Sequence, residues 1–138
     1  MMGNTTIHED VFREIARLVL DDTEGVYSYE PKSPLAPLLG EKSVKPLISV
    51  RWPEPGEENQ ERVAYDIRLA ALYGASIPRM ASEIRARVAE DVKAYTGYDV
   101  TAIDIYITKL IDFESDRSER EDESKPHSED QDEGSGGG

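Results

Sequence analysis

Residues 62–78, RVAYDIRLAALYGASIP, decide the fold class of this chain. Apolar side chains fall on every second position from Val63 to Tyr73, and the positions between them include the charged ones. That period of two is typical of a β-strand with one largely apolar face. The strand is predicted to stop at Tyr73-Gly74, where a helical pattern begins at once with Pro78 in its first turn. A strand that turns directly into a helix indicates a small α+β domain.

The chain before this stretch predicts one helix and two short strands. Residues 8–22 predict a helix with Thr6 as its N-cap and an apolar stripe at helical spacing. The stripe consists of Val11, Phe12, Ile15, Leu18 and Val19. After a stop at Gly25, residues 26–29 predict a short strand, and residues 47–52 predict the next one.

A long loop is predicted between these two strands. Residues 31–46, PKSPLAPLLGEKSVKP, contain four of the eight prolines. Leu35, Leu38 and Leu39 lie within this loop. We expect the leucines to pack down on the domain, with a short helical turn at 35–39.

The second half of the domain predicts a helix followed by a strand. Residues 77–96 carry apolar side chains at steps of three and four, and Gly97 is suited to the C-cap. Residues 99–110 alternate again. The isoleucines at 103, 105 and 107 are predicted to face the core, and Asp104, Tyr106 and Thr108 are predicted to face away from it.

The predicted element order is therefore α-β-β-β-α-β, which gives a single α+β domain. We expect a twisted mixed sheet with both helices on one face. The strands at 47–52 and 63–73 form the antiparallel pair, and the unit from 63 to 108 is a parallel strand–helix–strand crossover. The expected organisation is a flexible N-terminus at 1–6, the domain at 7–113 and an acidic tail at 114–138.

Composition restricts the class of protein. The chain has 138 residues and a net charge of −13, of which the ten acidic and three basic residues of 114–138 contribute −7. That tail contains no aliphatic or aromatic residue, so we expect it to be disordered. The acidic balance disfavours sequence-independent nucleic-acid binding. The chain has no cysteine, no apolar run long enough to span a bilayer and no secretory signal, so we expect a cytoplasmic location.

The search for catalytic or metal-binding residues is negative. One histidine lies in the tail, and His8 is interpreted as a surface or capping residue at a helix start. No nucleophile–base pair, phosphate-binding loop or metal-ligand spacing is found. Asp66 and Asp104 could lie together as an acid–base pair. Arg51 and Arg68 are predicted on the same face, however, and they favour ordinary cross-strand ion pairs.

The ordered motifs resemble a known family. They are Glu24-Gly25-Val26, Leu39-Gly40, the Ile48-x-Val50 strand, Leu72-Tyr73-Gly74 with Ile77, Thr96-Gly97-Tyr98, and Val100-x-x-Ile103-x-Ile105. Together they resemble the alkaline shock protein family, the Gram-positive cell envelope stress response proteins. The resemblance covers about residues 7 to 110. The loop WPEPGEENQE is longer and more acidic than in that family, and the acidic tail lies outside the resemblance.

The resemblance implies a non-enzymatic cytoplasmic protein linked to cell-envelope homeostasis, and the residues themselves predict no cofactor and no metal. Some members of the family self-associate and reach the membrane through a membrane-anchored partner. We therefore expect a homo-oligomer, peripheral to the membrane through that partner, with no membrane span of its own. The candidate interaction face is the sheet face that no helix covers. Its predicted residues are Ser49, Arg51, Asp66, Arg68, Asp104 and Tyr106.

A second hypothesis assigns a different class of function. The long loop at 31–46 is unusual in a small domain, and such loops often act as lids. In this alternative the chain is a small-ligand-binding or catalytic α+β domain, and the loop closes over the sheet.

Overall fold

The computed structural model describes residues 1–53 and 61–112 and confirms the predicted order of elements. The helices are α1 (Glu9–Asp21) and α2 (Ile77–Thr96), and the strands are β1 (Val26–Tyr27), β2 (Leu47–Arg51), β3 (Arg62–Leu72) and β4 (Asp99–Ile111). The expected disorder of the tail and most of the polar loop between β2 and β3 lie outside the described residues.

The central strand of the sheet is β3. Along one edge β4 pairs with it in parallel, from Arg62 opposite Asp99 to Leu72 opposite Ile111. Along the other edge β2 pairs antiparallel with the first half of β3, and β1 pairs antiparallel with its end. The predicted mixed sheet, with its antiparallel pair and its parallel crossover, is confirmed.

Both helices pack on one face of this sheet. Helix α1 contacts β2, α2 contacts β4, and the helices contact each other. The side chains of β3 that point toward them are each at most 1% exposed: Val63, Tyr65, Ile67, Leu69 and Ala71. Burying one such large apolar side chain contributes about 1.5–3 kcal/mol. The apolar side chains that alternate along β3 therefore supply the centre of the core.

Helix α1 is rotated slightly from the predicted orientation: Phe12, Ile15 and Val19 of the predicted stripe are buried, but its other two members are not. Its buried residues are Phe12, Ile15, Ala16, Val19 and Leu20, a regular i, i+3, i+4, i+7, i+8 pattern. Val11 and Leu18, which the prediction placed in the stripe, are 43% and 53% exposed. The N-cap is also not the predicted Thr6. It is His8, whose Nδ1 accepts a hydrogen bond from the Asp10 amide at 3.0 Å.

Two predicted apolar positions lie at the surface. Strand β3 ends at Leu72, so Tyr73 falls in the turn and is 68% exposed. Its amide donates to the Ile111 carbonyl at 2.7 Å, which holds the end of β4 beside the turn. Tyr95, in the last turn of α2, is 73% exposed.

The turn before β1 packs on the corner between β3 and α2. Gly25 has φ +99°, and a Cβ added there would lie 3.0 Å from Ala75 Cβ and 3.2 Å from Met80 Sδ. The Gly25 carbonyl also accepts from the Leu72 amide at 2.9 Å. Only glycine fits both the left-handed backbone and the close approach. This contact joins the motif Glu24-Gly25-Val26 to the motif Leu72-Tyr73-Gly74.

Candidate interaction face

The sheet face opposite the helices is open. It carries the alternate positions of β3, and strand register decides which side chains become neighbours there. Asp66 lies opposite Ser49 of β2 and Asp104 of β4, and Arg68 lies opposite Leu47 and Tyr106. All six residues predicted for the face therefore lie on it, on three adjacent strands. We call this surface the open face.

One guanidinium joins the two carboxylates at its centre. Arg51 Nε donates to Asp66 Oδ2 at 2.9 Å, and Arg51 Nη2 donates to Asp104 Oδ2 at 3.0 Å. The side chains of Arg51, Asp66 and Asp104 are 45%, 30% and 56% exposed, so water screens both ion pairs. The cross-strand ion pairs expected from the sequence are present, and both carboxylates share one cation.

The neighbouring row holds a cation over an aromatic ring. The Arg68 guanidinium carbon lies 4.6 Å from the centroid of the Tyr106 ring. That distance is within the range of a cation–π contact, which contributes about 0.5–1 kcal/mol at an exposed site. Tyr106 remains 43% exposed. Arginine and tyrosine are both enriched at protein interfaces, and this pair presents a flat, partly solvent-exposed surface.

Small side chains lie at either end of the two charged rows on the open face. Ala64 and Ala70 lie on the open face but are only 8% and 5% exposed. Their longer neighbours shield them, since Arg51 lies opposite Ala64 and Lys109 opposite Ala70. Within residues 1–53 and 61–112, no helix covers this surface.

Sequence reasoning did not predict Lys109 on the open face. The strict alternation of β4 predicted Thr108 on this face, but the register shifts between Leu69 and Ala70, so that Lys109 lies beside Ala70. Such an irregularity adds one residue to a strand and moves the following side chains to the other face. The sequence of β4 gives no signal for it.

The predicted lid loop does not close over the sheet. A 3-10 helix at Ala36–Leu39 forms where a helical turn was expected, and Ala36 is buried at 1% exposure. Leu35, Leu38 and Leu39 are 59%, 82% and 71% exposed, so the expectation that they pack down is wrong. The turn is held by its own backbone hydrogen bonds, and a bridge between Tyr29 and Val44 closes the base of the loop. The small buried residue anchors the turn and the leucines point outward.

No metal or catalytic cluster is found in the described part of the chain. Groups of three or more side chains of the metal-binding types do not occur there. His8 caps α1 through its Nδ1, which commits one of its two nitrogens. Burial raises the pKa of the Tyr65 phenol above its usual value of 10.0, but its hydroxyl donates to the Phe12 carbonyl at 2.8 Å inside the core. That group is structural.

None of the helices between residues 1 and 53 or between 61 and 112 has the length and apolar character needed to cross a bilayer.

Comparison with known proteins gives a family match and a weak structural likeness. The sequence model of the alkaline shock protein 23 family, described as having a cell envelope-related function, matches residues 1–111. No curated protein matches the chain. A crystal structure of Era in complex with MgGDPNP and nucleotides 1506–1542 of 16S ribosomal RNA is similar at a TM-score of 0.39 and 13% identity. The match covers 86% of this chain and 39% of that one, and a likeness this weak carries no functional conclusion.

Proposed function

We propose a function that starts from family membership: this chain belongs to the alkaline shock protein 23 family, which has a cell envelope-related function. Within that function, the chain acts as a non-enzymatic scaffold. It associates with copies of itself and docks on a membrane-anchored protein, which places it at the cytoplasmic side of the membrane. The resemblance of its motifs to the family supports the partner and the location.

The observation that carries this proposal is the composition of the open face. Arg51 holds both Asp66 and Asp104, and Arg68 lies over Tyr106. These side chains are pre-arranged by their own contacts, so a partner need not order them on binding. A flat surface with paired carboxylates and an accessible aromatic ring suits protein contact. It does not suit enclosure of a small molecule, which needs a concave and mostly apolar pocket.

The same arrangement disfavours an enzymatic role. Acid–base catalysis by two carboxylates needs different environments that separate their pKa values. Here Asp66 and Asp104 share one guanidinium, and both are open to water.

Self-association through this face is sterically simple. A two-fold axis that runs along the open face, in the plane of the interface, brings the same residues of two copies together. A surface that carries both charge signs can therefore be complementary to itself. The acidic row of Asp66 and Asp104 lies next to the row of Arg68 and Tyr106. Turning one copy by half a rotation sets one row of each copy against the other row of its partner.

The test of self-association compares two tyrosines. Tyr106 is 43% exposed on the open face, and Tyr95 is 73% exposed on α2. Sedimentation equilibrium of the full chain should show a concentration-dependent oligomer. Tyr106→Ala should weaken it by about tenfold, as expected for a contact worth about 1.4 kcal/mol. Tyr95→Ala should leave it unchanged. A strict monomer at millimolar concentration, or equal weakening by both variants, contradicts self-association through this face.

The membrane-anchored partner requires a second assay. The full chain immobilised on beads should retain a protein from detergent-solubilised membranes of its own cell. Arg68→Ala should abolish that retention, whereas Arg79→Ala, on the exposed first turn of α2, should not. Equal retention by both variants would place the docking surface outside the open face.

A further inference from the structure

A shallow basic depression lies at one end of the open face. It has a volume of about 280 Å³ and is lined by residues of β2, β3, β4 and the loop before β2. Its polar rim includes Ser43, Lys45, Arg68 and Lys109, and its floor includes Ala70. Three of the lining residues are basic and none is acidic. We call this site the basic depression.

Its charge is unusual for this protein. Residues 1–53 and 61–112 contain 16 acidic and 13 basic residues, so a surface site built from them should combine both signs. Three other depressions in the described part of the chain all combine both signs. One at α1 and β1 includes Asp21 beside Arg17, one at α1 and β2 includes Glu14, and one at the β3–α2 corner includes Glu24 and Glu83.

Two of the three cations are available to an anion. Lys45 pairs with Glu30 at 3.0 Å. Arg68 contacts the ring of Tyr106, which leaves its charge uncompensated by a carboxylate in residues 1–53 and 61–112. No ion pair involves Lys109 in the same ranges, and it lies opposite Ala70 at the edge of the depression.

The chain itself carries an acidic segment, which follows in sequence the strand that lines this site. Strand β4 ends at Ile111, two positions after Lys109, and the acidic tail at 114–138 follows with ten acidic and three basic residues. Twenty-five residues can extend to about 80 Å, so length does not prevent the tail from turning back. Attachment to β4 gives the tail a local concentration on the order of millimolar, at which even weak charge pairing is populated.

We propose that the acidic tail docks in cis on the basic depression, through its carboxylates and the cations of Arg68 and Lys109. The contact is electrostatic and needs no fixed tail conformation. Because Arg68 also belongs to the open face, the docked tail and a second copy would contact the same residue, a consequence that rests on the proposed function.

The direct test uses a spin label on the full chain. The sequence has no cysteine, so Ser128→Cys provides one attachment site for a nitroxide in the middle of the tail. Amide signals of an isotopically labelled chain are then recorded in dilute solution, where the chain is monomeric. We expect the signals of Ser43 and Ala70, on two sides of the basic depression, to lose intensity. The loss should disappear at about 1 M salt, where the Debye length falls to about 3 Å.

The internal control is the turn at Tyr73 and Gly74. Its Tyr73 amide contacts Ile111, the last residue of β4, so the turn lies at least as close to the end of β4 as Lys109 of the basic depression does. An undirected tail would broaden both regions equally and regardless of salt. Arg68→Gln combined with Lys109→Gln should remove the excess loss at Ser43 while leaving that at Tyr73.

Three outcomes would overturn the proposal. They are equal broadening at Ser43 and Tyr73, broadening that persists in 1 M salt, and broadening that arises only when a spin-labelled chain is mixed with a separate isotopically labelled chain. The last would mean that the tail binds another copy. Because the assay is run on monomers, it can succeed even if the chain never self-associates. A chain that self-associates can equally show no tail docking in this assay, so tail docking and self-association can be refuted independently of each other.

Discussion

Arg51 and Asp104 lie 53 positions apart in the sequence, yet Arg51 Nη2 donates to Asp104 Oδ2 at 3.0 Å. The contact crosses the whole width of the sheet at this level, because β3 lies between the strands that carry the two residues. Asp66 on β3 accepts from the same guanidinium. One exposed cation thus ties three strands together and sets the charge pattern of the open face.

Removing that cation should leave two carboxylates facing each other. Asp66 and Asp104 are directly opposite in register. Arg51→Ala removes both ion pairs and leaves the repulsion between the two carboxylates uncompensated. The residues are largely exposed, and we expect the free energy of unfolding to fall by only about 1 kcal/mol. Denaturant unfolding measures it. Asp104→Asn in the Arg51→Ala background should recover part of the loss. If it recovers none, the repulsion is absent.

Gly25→Ala should be far more costly than Gly97→Ala. Both glycines have positive φ, at +99° and +82°, but a Cβ at position 97 meets nothing within 4 Å, whereas one at position 25 meets Ala75 and Met80. We expect a loss of about 1 kcal/mol at Gly97 from backbone strain alone. At Gly25 the added overlap should raise the loss to about 2–4 kcal/mol. Thermal or denaturant unfolding compares the two, and equal losses would mean that the corner packing is loose.

Tyr65 should make stability sensitive to alkaline pH. Burial raises the pKa of its phenol above 10.0, so the folded chain keeps this proton at pH values where the unfolded chain releases it. The stabilisation is complete below about pH 10 and is lost as pH rises from there toward the raised folded pKa, at no more than about 1.4 kcal/mol per pH unit. Tyr65→Phe should therefore cost about 1 kcal/mol near pH 8, through the lost hydrogen bond to Phe12.

That cost should shrink above about pH 10, because phenylalanine has no proton to lose. Unfolding curves of both proteins from pH 8 to about pH 11 give the comparison. Tyr95→Phe, at an exposed tyrosine, is the control and should match the original chain throughout. A gap between Tyr65→Phe and the original chain that stays constant with pH would contradict the buried, protonated phenol.

The exposed leucines should be dispensable for folding. Leu38→Ser combined with Leu39→Ser changes side chains that are 82% and 71% exposed, so we expect a change in unfolding free energy within about 0.5 kcal/mol. Leu20→Ala, at a position that is 1% exposed, should cost about 2–5 kcal/mol. A large loss from the double serine variant would instead support a loop packed as a lid over the domain.

The sequence predicted the fold correctly because its strands and helices have clear periods. The alternation of β3, the glycine stops and the helical spacing of α2 are local signals, and each agrees with the final structure. Helix α1 was harder. Apolar residues occupy seven of the positions from Val11 to Leu20, so more than one stripe fits the spacing. Contact with the sheet, not the spacing, selects the face that contains Ala16 and Leu20.

The open face was predicted as a set of residues but not as a set of contacts. Period-two alternation places Arg51, Asp66 and Asp104 on one side, and it cannot say that one arginine holds both acids, since that depends on the register of three strands. Lys109 was missed because a register shift in β4 leaves no mark in its sequence. The leucines of the loop were misplaced because the side chain that the 3-10 helix buries is the small Ala36, and hydrophobicity alone favours the leucines.

A concentration series of amide spectra on the full chain tests the central claim, that this scaffold binds copies of itself through the open face, most directly. On raising the concentration from micromolar to millimolar, we expect signals of Ser49, Asp66, Arg68 and Tyr106 to shift together, while those of α1 and α2 stay in place. Spectra that do not change with concentration, or changes confined to the helices, would contradict it.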